Sequence, residues 1–296
     1  MAAGCKVAPA LAAAVGVSWK SLLARPRPLI MGVINVTPDS FADGGLFFHP
    51  DAAVDQALAL AAAGADILDL GGESTRPFSE PTPLDEELRR VLPVIERVRA
   101  HTTVPISIDT YKSQVARAAL AAGANIINDI SALRFDPDMV QLARESRTPV
   151  ILMHMQGTPR EMQAKPLYDD LLGEIRAFFQ ERLDFALAHG LFLEDLVLDP
   201  GIGFGKTFQH NMEILNNLDV FLDLGCPLLI GPSRKAFLGR LLGGLPPAER
   251  DIGTLAALAA AVQRGAHLVR VHNAAYAKQF FTVLNAIGET QRRSGS

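Results

Sequence analysis

Three polar residues close short apolar runs at widely separated points of the chain. Asp109 follows Pro105–Ile108, Asn128 ends Asn125–Asn128, and Asp199 follows Leu196–Leu198. Two carboxylates and an amide offer several acceptors and a donor pair. That set suits a flat, nitrogen-rich heterocycle with N–H groups to donate. A second set is cationic. Arg76, Lys235, Arg270 and His272 lie at or beyond the ends of other apolar runs and suit an anion such as phosphate or pyrophosphate. The chemistry implied is recognition of a heterocycle joined to a phosphorylated group. A lone aspartate in such a place is ordinarily a helix N-cap, and Asp109 before Thr110-Tyr111-Lys112 has that reading. A whole set of polar run ends does not.

One stretch invites a different chemistry. Residues 199–207, DPGIGFGKT, are glycine-rich and end in Gly-Lys-Thr. A P-loop requires GxxxxGK followed by Ser or Thr. The position five before Gly205 is Pro200, and the glycines run GxGxG rather than GxGxxG. The nucleotide reading fails on spacing. What remains is an aspartate at a strand end and a loop whose backbone another group can approach closely.

The elements that must position these residues repeat in one rhythm. Eight short apolar runs occur at Ile30–Val36, Asp66–Leu70, Pro105–Ile108, Asn125–Asn128, Pro149–Met153, Leu196–Leu198, Pro227–Ile230 and His267–Val271. Continuous apolar runs of this length are expected of parallel strands buried on both faces. Helical patterns lie between them at Asp51–Ala63, Asp85–Ala100, Lys112–Ala122, Leu167–His189 and Asp251–Gln263, several stopping at a glycine. Eight βα units predict the α/β class and a (β/α)8 TIM barrel, eight parallel strands surrounded by helices. An open doubly wound sheet is the alternative, usually with fewer strands. In a barrel the active site lies at the C-terminal ends of the strands. Every run here delivers polar side chains to that rim: Asn35, then Glu73, Thr75 and Arg76, then Asp109, Asn128 with Asp129, His154, Asp199, Ser233 to Lys235, and Arg270 to Asn273.

Composition sets the outer limits. The 296 residues are 49% hydrophobic and 20% charged, with a formal net charge of −4. That balance suits one large globular domain and gives no basic surface for nucleic acid or a membrane. The two cysteines, Cys5 and Cys226, form no disulfide or zinc pattern, which favours a reducing, cytoplasmic setting. Cys226, before the seventh run, reads as core rather than catalyst. Residues 1–28 read as an Ala-rich, poorly ordered N-terminal extension. No cleavage site precedes the basic residues Lys20, Arg25 and Arg27, so a secretory signal is disfavoured. Residues 29–290 read as a single barrel domain. His49, His101, His189 and His210 read as surface residues and His154 as structural. Asp85 to Arg90 reads as a solvated helix face, and Arg292-Arg293 as a frayed tail.

The motifs resemble dihydropteroate synthase from about Leu29 to Ile287. They are Met31–Phe41 (MGVINVTPDSF) with Ala42–Gly45, Leu70–Pro77 (LGGESTRP), Ile106–Lys112 (ISIDTYK) and Ile127–Ile130 (INDI). Leu152–Gly157 (LMHMQG), Leu198–Lys206 (LDPGIGFGK), Ser233–Lys235 (SRK) and Val269–Asn273 (VRVHN) follow in the family's order. The resemblance implies a pterin-binding barrel. It implies a transferase that joins 6-hydroxymethyl-7,8-dihydropterin diphosphate to p-aminobenzoate in folate biosynthesis, by an SN1-like displacement that releases pyrophosphate. It further implies Asp109, Asp199 and Lys235 as catalytic residues. Asp109, Asn128 and Asp199 would bond the pterin, Ile130, Met153, Phe204 and Gly231 would wall it, and Lys235 would reach it from above. Thr75, Arg270 and His272 would meet the diphosphate, and Asn35 would help hold Mg2+ on it. Phe41, Arg76, Pro77 and Ser233 would frame p-aminobenzoate, the end that sulfonamides imitate. The resemblance also implies a homodimer.

Two positions depart from the pattern, both on the aminobenzoate side. Phe78 stands where many relatives have glycine, and Ala236 where some carry a hydroxyl. Two rival functions stay open on the sequence. A methyltetrahydrofolate:corrinoid methyltransferase would share the pterin-binding carboxylates and asparagine but has no need of the diphosphate set or of Ser233–Lys235. A divergent paralogue would keep the pterin pocket and lack aminobenzoate binding.

Overall fold

All eight apolar runs become strands, each within one residue of its expected limits. The computed structural model describes residues 17–25, 27–37, 50–75 and 79–293, with side chains to residue 288. In chain order the elements are α1 (Trp19–Leu23), β1 (Leu29–Asn35), α2 (Pro50–Ala62), β2 (Ile67–Gly71), α3 (Leu84–His101), β3 (Ile106–Asp109) and α4 (Ser113–Ala121). There follow β4 (Ile126–Asp129), α5 (Asp138–Ser146), β5 (Val150–Met153), α6 (Leu171–Ala188), β6 (Leu196–Asp199) and α7 (Phe208–Asn216). The last are β7 (Leu228–Ile230), α8 (Ala236–Leu241), α9 (Asp251–Gln263), β8 (Ala266–Val271) and α10 (Ala274–Arg293). The strands pair in sequence order, all parallel, and β8 closes on β1. The barrel expectation holds and the open sheet is excluded.

Side chains alternate along each strand, so two cores form. The outward set, including Ile34, Leu70, Ile108 and Leu198, packs beneath the helices. The inward set at the lower end is Leu29, Met31, Ile67, Ile126, Ile151, Val197, Leu229 and Leu268. Trp19 and Leu22 of α1 close that lower mouth, and the Trp19 indole N–H donates to the Asp195 carbonyl at 3.0 Å. The basic residues before β1 have a structural task. Arg27 pairs with buried Asp66 at 2.6 Å, Arg25 pairs with the same carboxylate, and Asp66 also accepts the Ile30 N–H at 2.9 Å. The chain just before Leu29 is therefore part of the barrel's floor, because an open apolar mouth needs a lid.

Helix limits follow local chemistry. The expected helix from Leu167 begins only at Leu171, because Asp170 caps it, accepting the Gly173 N–H at 3.1 Å. It ends before Gly190, whose φ of +87° is the left-handed conformation a C-terminal stop favours. The backbone of α10 runs helical through Arg293, so the Arg292-Arg293 pair lies in a helix rather than a tail. Among the described residues, no helix is long and apolar enough to cross a membrane.

Candidate active site

The inward positions one step above the apolar floor carry charge. On β2, Asp69 follows Ile67; on β4, Asn128 follows Ile126; on β6, Asp199 follows Val197; on β8, Arg270 follows Leu268. Period-two geometry sends each of these side chains inward. They meet. Arg270 donates to Asp69 at 2.6 Å and to Asp109 at 2.8 Å. The Asn128 amide donates to Asp69 at 3.2 Å. Asp109 therefore ends β3 as an ion-pair partner, not as a helix cap, and Oδ1 of its carboxylate is buried with no hydrogen-bond partner among the described residues. Two carboxylates against one guanidinium leave the cluster acidic. Burial pushes the Asp109 carboxyl up to about 7, against the pull of Arg270. For Arg270, burial works to weaken the charged form, but Asp69 and Asp109 outweigh it and hold the guanidinium charged.

Asp199 lies across the same interior. It accepts the Gly201 N–H at 2.8 Å, and its backbone carbonyl accepts the His154 N–H at 2.8 Å. Burial raises its carboxyl, opposed first by Lys235. Gly201 has no room for a side chain: a Cβ there would stand 2.1 Å from the His154 carbonyl oxygen. The loop thus turns sharply out of β6 and brings Phe204 back over the mouth. Lys235 donates to the Ile202 carbonyl and sits over the Phe204 ring, 4.6 Å from its centre. Burial brings the Lys235 ammonium down to about 8, with Asp199 opposing that fall. Ile130, Met153, Met155 and Met162 form an apolar wall, joined by Phe204 and Tyr111. Gly231, buried above β7, keeps open the space beside Arg270.

The rim residues form a second group. Ser233 accepts the His272 backbone N–H at 3.1 Å, so its hydroxyl proton is free to donate to His272 Nδ1 at 2.9 Å. Either atom of the Ser233–His272 Nδ1 pair can donate, since a serine oxygen can accept two hydrogen bonds. Burial, with Arg270 and Arg234 beside it, pushes His272 down to about 4. His272 is thus a neutral donor at pH 7, not the cation its type suggested. Arg234, between the two site residues, is structural: its guanidinium forks onto Asp251 at 2.7 and 2.9 Å. Thr75 lies half-buried beyond β2, and Asn35 is half-buried as the last residue of β1. Phe41, Arg76, Pro77 and Phe78 fall outside the described residues, as do Cys5 and His49. Ala236 opens α8 at the surface.

Several sequence expectations change. Asp69 is fully buried at the centre of the charged cluster, and the sequence reading passed over it inside an apolar run. Glu87 is not on a solvated face. It is buried against Lys112 at 2.5 Å, and Lys112 also reaches Glu73, at 2.5 Å. This network roots the loop that leads to Thr75. His154 is buried against Phe178 and bonded by Lys206, in keeping with a structural role. His210 is half-buried and completes the capping box at Thr207, while His101 and His189 are exposed as expected. Cys226 is buried core.

A parallel barrel with an acidic, amide-bearing interior and an apolar side wall at its C-terminal mouth defines a class: a TIM-barrel enzyme with a site furnished for a polar ligand. Comparison with known proteins agrees. Residues 31–272 match the family model described as pterin binding enzyme. The dihydropteroate synthase of Synechocystis sp. is 45% identical over 261 residues, 88% of this chain and 90% of that protein. A Xanthomonas albilineans dihydropteroate synthase solved with 4-aminobenzoic acid is 47% identical, with a TM-score of 0.84 over 88% of this chain and 93% of that one. A Yersinia pestis dihydropteroate synthase solved in a sulfonamide drug complex is 42% identical, with a TM-score of 0.85 over 90% of this chain and 96% of that one. The chain belongs to the dihydropteroate synthase family of pterin-binding enzymes. The corrinoid methyltransferase alternative falls away with that assignment.

Proposed function

We infer that the chain condenses 6-hydroxymethyl-7,8-dihydropterin diphosphate with p-aminobenzoate to give 7,8-dihydropteroate and pyrophosphate. The observation that carries the site assignment is the inward cluster of Asp69, Asp109, Asn128 and Arg270, with Asp199 across from it. The pterin edge bonds Asp109, Asn128 and Asp199, and the ring lies between Met153 with Ile130 on one side and Phe204 with Lys235 on the other. Thr75, Arg270 and His272 face the diphosphate. Phe41, Arg76, Pro77 and Ser233 frame the aminobenzoate, the position a sulfonamide would take.

The chemistry suits an SN1-like displacement. As the C–O bond to the diphosphate stretches, the pterin methylene gains positive charge and the leaving oxygen negative charge. Buried Asp109 and Asp199 stabilise the cation because they are fixed in a site of low polarity. His272 and Arg270 oppose the charge on the departing oxygen. The aminobenzoate nitrogen then bonds the methylene carbon and releases a proton. No protein nucleophile takes part.

Mg2+ fits the donor set. The described residues hold no group of three His, Cys, Asp or Glu side chains that would cage an ion by themselves. Mg2+ is commonly held by one protein oxygen together with substrate phosphates and water, and Asn35 supplies such an oxygen at the end of β1. Bound there, Mg2+ would neutralise charge on the diphosphate. A homodimer is supported by an exposed apolar groove of about 430 Å³ on α9 and α10, with Tyr276, Val283 and Ile287 in its lining. A cytoplasmic setting is supported by the sparse cysteines of the sequence.

The test is aminobenzoate-dependent pyrophosphate release by the purified protein, beside Asp199→Asn. Release that collapses by at least about a hundredfold in the variant supports the assignment. Pterin binding without any release by the wild-type protein would favour the divergent paralogue.

A further inference from the structure

The loop after β6 is held in an unusual way. Its carbonyls at Ile202, Gly203, Phe204 and Gly205 each accept a side-chain hydrogen bond from a different residue. Lys235 takes the first, Gln163 the second at 2.8 Å, Lys206 the third at 3.0 Å and Tyr168 the fourth at 2.9 Å. Asn211 holds the same loop from beneath, accepting the Gly203 N–H at 2.7 Å. Four of these five residues are neutral or already part of the site. Lys206 is neither.

Lys206 is 3% exposed, and its side-chain hydrogen bonds among the described residues go to uncharged acceptors. Its ammonium has three donors and three acceptors: the Phe204 carbonyl, His154 Nδ1 at 3.0 Å and the His154 carbonyl at 3.4 Å. Accepting at Nδ1 requires a neutral imidazole, and burial with the Lys206 charge holds His154 well below its ordinary range. A buried lysine is costly unless its charge is used. Asp199 is the carboxylate that opposes its loss of charge, and Lys206 in turn favours ionised Asp199.

We propose that Lys206 is a positioning residue for the pterin end of the site: it fixes the Phe204 carbonyl, and so the ring that covers the pterin, and it lends charge to Asp199. The proposal rests on the reaction inferred above but makes a separate demand of the molecule. Asp199 also faces Lys235 and Arg270, and Lys206 also faces Lys235 and His154. The contribution of Lys206 is therefore one charge among three.

The experiment compares wild-type protein with Lys206→Met, Lys206→Gln and Gln163→Ala. Calorimetry measures dihydropterin diphosphate affinity, and turnover gives the pH profile of kcat/KM. Lys206→Met should weaken pterin binding at least about tenfold, as expected for a lost charged hydrogen bond, and leave the KM for aminobenzoate unchanged at saturating pterin. Its acid limb should move to higher pH, because Asp199 loses a stabilising charge. Lys206→Gln keeps a donor for Phe204 without the charge, so the limb should move equally and affinity fall less. If Lys206→Met does not fold, Lys206→Gln decides alone. Gln163→Ala releases Gly203 without changing charge, so affinity should fall and the limb stay in place. Unchanged affinity and an unmoved limb in both lysine variants would overturn the proposal. Wild-type protein that binds pterin but does not turn over, with weaker binding in the variants, would count against the reaction and for the positioning role.

Discussion

Two rings of side chains stand two residues apart inside one barrel. The lower ring, with Ile67, Ile126, Ile151, Val197, Leu229 and Leu268, is apolar and is sealed by Trp19. The upper ring on the same strands holds Asp69, Asn128, Met153, Asp199, Gly231 and Arg270. The lower ring removes apolar surface from water and stabilises the fold. The upper ring, with Asp109 paired to its Arg270, buries charge, which costs stability unless every group is paired, and Asp109 Oδ1 has no partner among the described residues. Under the proposed function the difference is a division of labour within a few ångströms of strand: stability below, ligand recognition above. Under the proposed function, that acceptor would take a donor from the pterin.

This division can be broken from either side. The largest expected effect is Trp19→Ala at the floor. It should cost about 3 kcal/mol of stability in urea unfolding, as large-to-small changes of buried aromatic residues do. The KM values for both substrates should stay within about twofold at a temperature where the variant is folded. A KM shift comparable to that of a site variant would break the separation of the two rings. Asp69→Asn, in the upper ring, should do the reverse. It keeps the shape, weakens the hold on Arg270 and lowers kcat/KM by about ten- to a hundredfold. Stability should change by less than in Trp19→Ala. A variant with wild-type turnover would remove Asp69 from the site.

The smallest effect is a pH dependence that sharpens the comparison. Asp109 and Asp199 are raised by burial, so below neutrality the folded protein binds protons that the unfolded chain has released. Their contribution to stability falls as pH rises from the ordinary aspartate range through the folded value, about 7 for Asp109. Lys206 and Lys235, brought down to about 7 and about 8, act in the opposite sense. The unfolded chain binds their protons above those values, so stability rises from there toward the ordinary lysine range. Wild-type protein should therefore lose on the order of 1 kcal/mol between pH 5.5 and 7.5, and Asp109→Asn should flatten that slope. Activity needs the carboxylates ionised and should rise over the same interval. An Asp109→Asn profile with the wild-type slope would show that Asp109 is not raised.

Much of the fold was legible because parallel strands buried on both faces leave an apolar trace in the sequence. The eight runs and their polar ends placed Asp109, Asn128, Asp199 and Arg270 on one rim before any coordinates. Helices were less legible. The sequence reading omitted α5, α7 and α8, which are short, and α1, which lies in the segment taken as an extension. It also omitted α10, although Ala277, Phe280, Phe281 and Leu284 repeat at helical spacing there. Asp69 was missed because it sits between Leu68 and Leu70 and looked like part of a strand core. Counting two residues on from Ile67, as from Val197 to Asp199, would have found it. The neutral state of His272 was not legible, since it depends on burial and on Arg270, which only the closed barrel brings beside it.

The most direct test is to titrate dihydropterin diphosphate into wild-type protein, Asp69→Asn and Asp199→Asn, without aminobenzoate. If the upper ring is the pterin site, both variants should bind at least about tenfold more weakly while unfolding within about 1 kcal/mol of the wild type. Wild-type affinity in both variants would place the pterin elsewhere and contradict the account.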